Sequence, residues 1–90
     1  MNKTELISVV AAETEQKRAL VEEVLNATLD AITQALKNGE KVQLIGFGNF
    51  EVKKVEERTG RNPRTGEEIT IEGYNKPAFN ASKVLKEAVN

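Results

Sequence analysis

Arg58, Arg61 and Arg64 recur every third residue, and Pro63 stands among them within the run Asn62-Pro63-Arg64-Thr65-Gly66. Guanidinium groups so placed suit phosphate, which they bind and position against whatever base is attached. Proline adds a rigid apolar ring with no N–H to be stranded in an apolar stack. A two-stranded ribbon with such a ring at its tip can follow the minor groove of a duplex and kink it by entering a base step. The plainer alternative is a solvated hairpin in which Asn-Pro-x-x-Gly serves only as turn chemistry.

Few other residues suggest chemistry. Lys83 and Lys86 follow Ser82 at the opening of a last helix, where the helix N-terminus and the ammonium groups would together attract phosphate; a solvated lysine face is the alternative. Gly46 and Gly48 resemble the start of a dinucleotide-binding loop, but that loop needs glycine where Glu51 stands and a helix where a strand follows. The pairs Glu22-Glu23, Glu56-Glu57 and Glu67-Glu68 are adjacent in sequence, so neither helix nor strand converges them on one point. The chain has no cysteine and no histidine, which excludes disulfides, thiolate zinc sites and Cys- or His-based nucleophilic catalysis. No enzyme constellation, cofactor site or metal site remains.

The charge balance runs against a nucleic-acid partner, since such binders are usually basic. Thirteen basic and fourteen acidic side chains give a net charge of -1 and a pI near 5.5. The distribution is uneven, however. Between residues 53 and 66 Lys53, Lys54, Arg58, Arg61 and Arg64 outnumber Glu56 and Glu57, whereas residues 1 to 38 carry an acidic excess.

These residues need a scaffold. Asn2 with Glu5 three positions later resembles a capping box, and Leu6, Ile7, Val9, Val10 and Ala11 predict a first helix from Lys3 to Thr14. Thr14-Glu15-Gln16 turns the chain, with Thr14 or a neighbour capping the next helix. A longer helix from Lys17 to Asn38 ends at Gly39. Its apolar stripe, from Leu20 and Val21 to Leu36, is wider than one partner helix needs, which favours a second subunit over a single compact core.

Lys41 to Ile45 and Asn49 to Lys53 read as strands joined by the turn Gly46-Phe47-Gly48, which returns two aromatic residues to the core. Ile69 and Ile71 alternate with polar residues on a returning strand. Gly73-Tyr74-Asn75 interrupts before Lys76-Pro77-Ala78-Phe79, and Ser82 caps a short helix through Val89. The expected order is two helices, three strands with a long hairpin, and one helix. Ninety residues that commit so much chain to a ribbon have little core of their own, and dimerisation would supply it. No apolar run is long enough to span a membrane, and the first twelve residues lack a signal-peptide pattern; both point to the cytoplasm.

Over its whole length the chain resembles the bacterial histone-like HU family, which includes integration host factor. The resemblance is densest at Met1 to Ile7, Gly39 to Val52, Gly60 to Pro63 with Thr65-Gly66, and Pro77-Ala78-Phe79. It implies an α+β fold: a helical base and a three-stranded antiparallel sheet with a long protruding β-hairpin arm, in an intertwined homodimer. Residues 1–52 and 76–90 would form the dimer body and 53–75 the arm of a single domain. The implied function is non-enzymatic: binding of bent, nicked or flexible double-stranded DNA through the minor groove with little base readout, bending by proline intercalation, and nucleoid compaction. No cofactor, membrane or small-molecule substrate is implied. By the same resemblance Pro63 intercalates, Arg58, Arg61, Asn62 and Arg64 line the arm, and Lys53 sits at its root. Lys3, Lys83 and Lys86 would contact flanking phosphate. The chain departs from the family at Val55, Thr59 and Asn80, where basic residues are usual, and at Lys76, where an apolar one is; a charge relocated to Lys76 joins the DNA-binding set. Two alternatives stand beside this expectation: a site-specific bending factor of the integration-host-factor or phage type, and a protein-interaction module with weakened DNA binding.

Overall fold

A computed structural model describes residues 1–90. In chain order it contains α1 (Lys3–Thr14), α2 (Arg18–Lys37), β1 (Val42–Leu44), β2 (Gly48–Val55), β3 (Arg58–Arg61), β4 (Glu68–Ile71), β5 (Tyr74–Ala81) and α3 (Lys83–Ala88). The chain divides into two compact units, Met1–Gln34 and Ala35–Asn90.

The first unit is helical. Asn2 has extended backbone, and its side chain accepts a hydrogen bond from the Glu5 N–H at 2.9 Å, satisfying one of the donors that a helix leaves unpaired in its first turn. Ile7 and Ala11, one helical turn apart on the same face, are buried. α1 closes where Glu15 takes a left-handed conformation at φ 55°. Thr14 does not cap α2: its hydroxyl donates to the Val10 carbonyl at 2.7 Å and is used within its own helix. The stripe on α2 forms, but none of its residues is fully buried. Leu20, Val24 and Leu29 stand open, while Val21 and Leu25 are half-buried. Leu6, Ile7, Val10, Val21, Val24 and Leu25 line an open apolar groove of about 320 Å³.

The second unit begins with the end of α2. Gly39 at φ 76° follows the last turn, its N–H donating to the Leu36 carbonyl at 3.0 Å while the Glu40 N–H donates to the Ala35 carbonyl at 2.9 Å. These are the two bonds of a Schellman cap. β1 is shorter than expected because Ile45 belongs to the turn. The Phe47 N–H closes onto the Leu44 carbonyl at 2.9 Å with Gly46 at φ 83°, the sign a type II turn demands at its third residue, and this leaves Ile45 fully exposed. β1, β2 and β5 form an antiparallel sheet in that order, with Val42 opposite Phe50 and Phe50 opposite Phe79. β5 lies on an edge, where Pro77 is tolerated despite its missing donor.

The aromatic residues meet as expected but are not enclosed. Phe79 packs edge-on against Phe47 at 5.6 Å and Phe50 at 4.9 Å, and Phe47 stays 48% exposed. Gly48 makes this packing possible, since a Cβ there would lie 2.5 Å from the Phe79 ring and 2.7 Å from the Asn80 carbonyl.

The expected three-stranded antiparallel sheet forms, and the long hairpin continues beyond it. The difference is a break in the hairpin, so that β3 and β4 form a separate two-stranded sheet and the chain has five strands. Glu56 and Glu57 on the outgoing side and Glu72 and Gly73 on the return fall in the break. A Cβ at Gly73 would lie 2.7 Å from the Val55 carbonyl and 3.0 Å from the Glu57 N–H nitrogen, so the two backbones approach too closely there for a regular ladder. Glu72 and Gly73 interrupt the return, because Tyr74 and Asn75 already belong to β5.

Gly48→Ala should lower stability by roughly 1–3 kcal/mol, the usual cost of overpacking, measured by urea unfolding at fixed protein concentration. Gly60→Ala meets the movable end of Ile71 at 3.2 Å and Ile69 at an ordinary 3.8 Å, and should change stability by less than about 0.5 kcal/mol. Equal losses at the two positions would contradict the close approach at Gly48.

Candidate nucleic-acid interface

At the hairpin tip the chain is held by its own polar groups. The Asn62 N–H donates to the Glu67 carbonyl at 2.8 Å and the Gly66 N–H returns to the Asn62 carbonyl at 2.8 Å, with Gly66 at φ 74°. The Asn62 side chain accepts from the Arg64 N–H at 2.9 Å, an Asx turn around Pro63. Asn62 is thus a half-buried positioning residue, whereas Pro63 and Arg64 are exposed at the point. A rigid apolar ring between fixed backbone anchors can enter a narrow space without losing much conformational entropy.

Behind the tip, the register sorts the arm into two faces. Arg58 stands opposite Ile71 and Gly60 opposite Ile69, so Arg58 shares a face with two isoleucines. Thr59 stands opposite Thr70 and Arg61 opposite Glu68 on the other face. A three-residue arginine period on a strand of period two therefore places Arg58 and Arg61 on opposite sides. The returning strand also offsets the basic excess of the outgoing one: from Glu56 to Gly73 the three arginines Arg58, Arg61 and Arg64 are outnumbered by Glu56, Glu57, Glu67, Glu68 and Glu72. Beyond the three-stranded sheet the arm is net acidic.

Lys53 and Lys76, far apart in sequence, stand directly opposite each other in the β2–β5 ladder, both exposed. Lys83 lies 3.9 Å from Glu87 on α3, behind the Ser82 cap, whose hydroxyl accepts from the Leu85 N–H at 3.1 Å. Lys86 is exposed on the same helix. Lys3, in the first unit, donates its ammonium to the Asn26 side-chain oxygen. Two partners escaped sequence reasoning: Asn26 for Lys3, and Glu51, whose carboxylate accepts from the Asn80 amide at 2.7 Å. Both link residues more than twenty positions apart, and only the helix pairing and the strand register could have revealed them.

The chain matches the family described as bacterial DNA-binding protein over residues 1–90, and it belongs to that family. It is 54% identical to the DNA-binding protein HU-alpha of Vibrio proteolyticus over 89 residues, 99% of each chain, and 53% identical to HU-alpha of Escherichia coli O157:H7 over 89 residues, 99% of each. Among solved structures, its fold is similar to an Anabaena HU crystallised with DNA, with a TM-score of 0.89 and 42% identity over 99% of this chain and 97% of that one. HU from Thermotoga maritima superposes with a TM-score of 0.71 at 37% identity, covering 100% of both chains. The helices and antiparallel sheet expected from the sequence are thus those of an HU-type fold.

Asn62→Ala removes the acceptor for the Arg64 N–H but leaves the backbone bond from Gly66 in place. Amide exchange at Arg64 should quicken while that at Gly66 stays slow, with stability changed by less than about 0.5 kcal/mol. Unchanged exchange at Arg64 would show that the Asx turn does not hold the tip.

Proposed function

We propose that this chain is a non-enzymatic architectural protein that binds double-stranded DNA through the minor groove with little base readout and bends it. The observation that carries the proposal is the arm tip, where Pro63 is exposed on a turn fixed by Asn62 and Gly66. Pro63 enters a base step; unstacking costs a few kcal/mol and is offset by the extra surface that a bent duplex wraps. Arg58, Arg61 and Arg64 neutralise backbone phosphate along the arm, Lys53 and Lys76 do so at its root, and Lys3, Lys83 and Lys86 do so on the flanks. Residues 1–90 act as one domain, with 1–52 and 76–90 as the body of a homodimer and 53–75 as its arm. Nucleoid compaction follows from many such bends.

Support for the homodimer comes from apolar surface. Ile7 and Ala11 are the whole buried apolar core of the single chain, and the groove between α1 and α2 is open. Support for a modest affinity comes from the five arm carboxylates, which oppose the field of DNA. Those carboxylates also favour a second reading, a protein-interaction module that has largely lost DNA binding. It predicts no salt-sensitive association with duplex at all.

Pro63→Ala should reduce bending more than binding. The bend angle, read by energy transfer between end labels, and the preference for nicked DNA should both drop, while affinity for linear duplex stays within a few-fold. An unchanged bend angle would leave the arm as a passive electrostatic clamp. Arg61→Ala should weaken binding to every duplex alike and flatten the slope of log K against log salt by roughly 0.9 for each phosphate no longer neutralised. An unaltered slope would remove Arg61 from the interface.

A further inference from the structure

Beside the two lysines at the root of the arm, one face of the three-stranded sheet carries a tyrosine to which the reading above gives no role. Along it the cross-strand pairs are Lys53 with Lys76 and, one step nearer the arm, Val55 with Tyr74. Residues two apart on a strand share a face, so Lys53, Val55, Tyr74 and Lys76 all lie on one side. Like charges directly opposite each other destabilise a sheet unless something of opposite sign lies between them. No carboxylate forms an ion pair with either lysine, and the sole ion pair of the chain is Lys83 with Glu87. Glu51, on the same face, is engaged by the Asn80 amide. Tyr74 is 56% exposed although it belongs to a paired strand, and it is the single tyrosine of the chain.

We infer that Lys53, Lys76 and Tyr74 form one contact site for a nucleic-acid backbone at the root of the arm. The two ammonium groups flank a phosphate, which relieves their mutual repulsion. The tyrosine ring lies against the adjoining deoxyribose, whose carbon face is apolar, and its hydroxyl remains free to donate to a phosphate oxygen. Val55 supports the ring from the opposite strand as an aromatic–β-branched pair. The site therefore combines a charge contact with an apolar one, and the apolar part is independent of salt. This inference rests on the DNA reading above, and its test separates the two.

The chain has no tryptophan, so its intrinsic fluorescence comes from Tyr74 alone. The wild-type protein is titrated with a duplex carrying an end label. Label anisotropy reports binding, and acrylamide quenching of the tyrosine reports its access to solvent. Saturating duplex should protect Tyr74 from acrylamide. Tyr74→Ala should weaken binding by about fourfold, the equivalent of one buried methylene, with the salt slope unchanged. Tyr74→Phe should retain most of that affinity. Lys76→Gln should flatten the salt slope by roughly 0.9 for each phosphate it leaves without a counter-charge. Binding with unchanged quenching would overturn the site while leaving the DNA reading intact. Absence of duplex binding at low salt would overturn both.

Discussion

The scarcity of buried apolar surface governs this structure. Ninety residues divided between three helices, a small sheet and a hairpin leave Ile7 and Ala11 as the enclosed apolar side chains. Every other large apolar residue keeps some exposure to solvent, and α2 carries a long stripe without one buried position. At about 25 cal/mol for each Å² of apolar surface, so small a core could not offset the entropy of ordering the chain. The groove lined by Leu6, Val10, Val21 and Leu25 is the surface a second copy would cover in the proposed homodimer. Dimerisation and the arm are then linked, because a chain that draws its core from a partner can commit much of its length to an exposed ribbon.

A second constraint acts on the arm. Its backbone geometry is well determined locally by Asn62, Gly66 and the ladder from Arg58 to Arg61, yet beyond the three-stranded sheet it is net acidic. Across the strands Glu68 stands opposite Arg61, which sets a carboxylate position beside one of the three arginines. Lys53 and Lys76 add cationic surface at the root, where β2 pairs with β5. Affinity in such a molecule would derive less from long-range attraction and more from short-range fit: a proline at the tip and a tyrosine at the base.

Local signals were legible in the sequence and nonlocal ones were not. The Asn2 and Ser82 caps, the Gly39 helix end and the Gly46 turn each depend on residues within a few positions, and all formed where the residue types require them. The tip turn did so for the same reason. The five-strand division did not show, because it depends on how closely Gly73 approaches Val55 across the hairpin. Reading the arginines by their period of three concealed their opposite faces, which the strand's period of two imposes. The Lys53–Lys76 pairing and the Lys3 and Glu51 hydrogen bonds likewise needed the register or the packing of distant segments.

Coverage of the open helical faces by a second copy is the condition on which both core and arm depend. Thermal unfolding of the intact chain over a wide range of protein concentration measures this directly. A folded dimer in equilibrium with unfolded monomers must show a midpoint that rises with concentration, accompanied by a dimer mass in sedimentation. A midpoint independent of concentration, with a monomer mass, would contradict this and mean that the open groove and the exposed stripe belong to a chain that is stable alone.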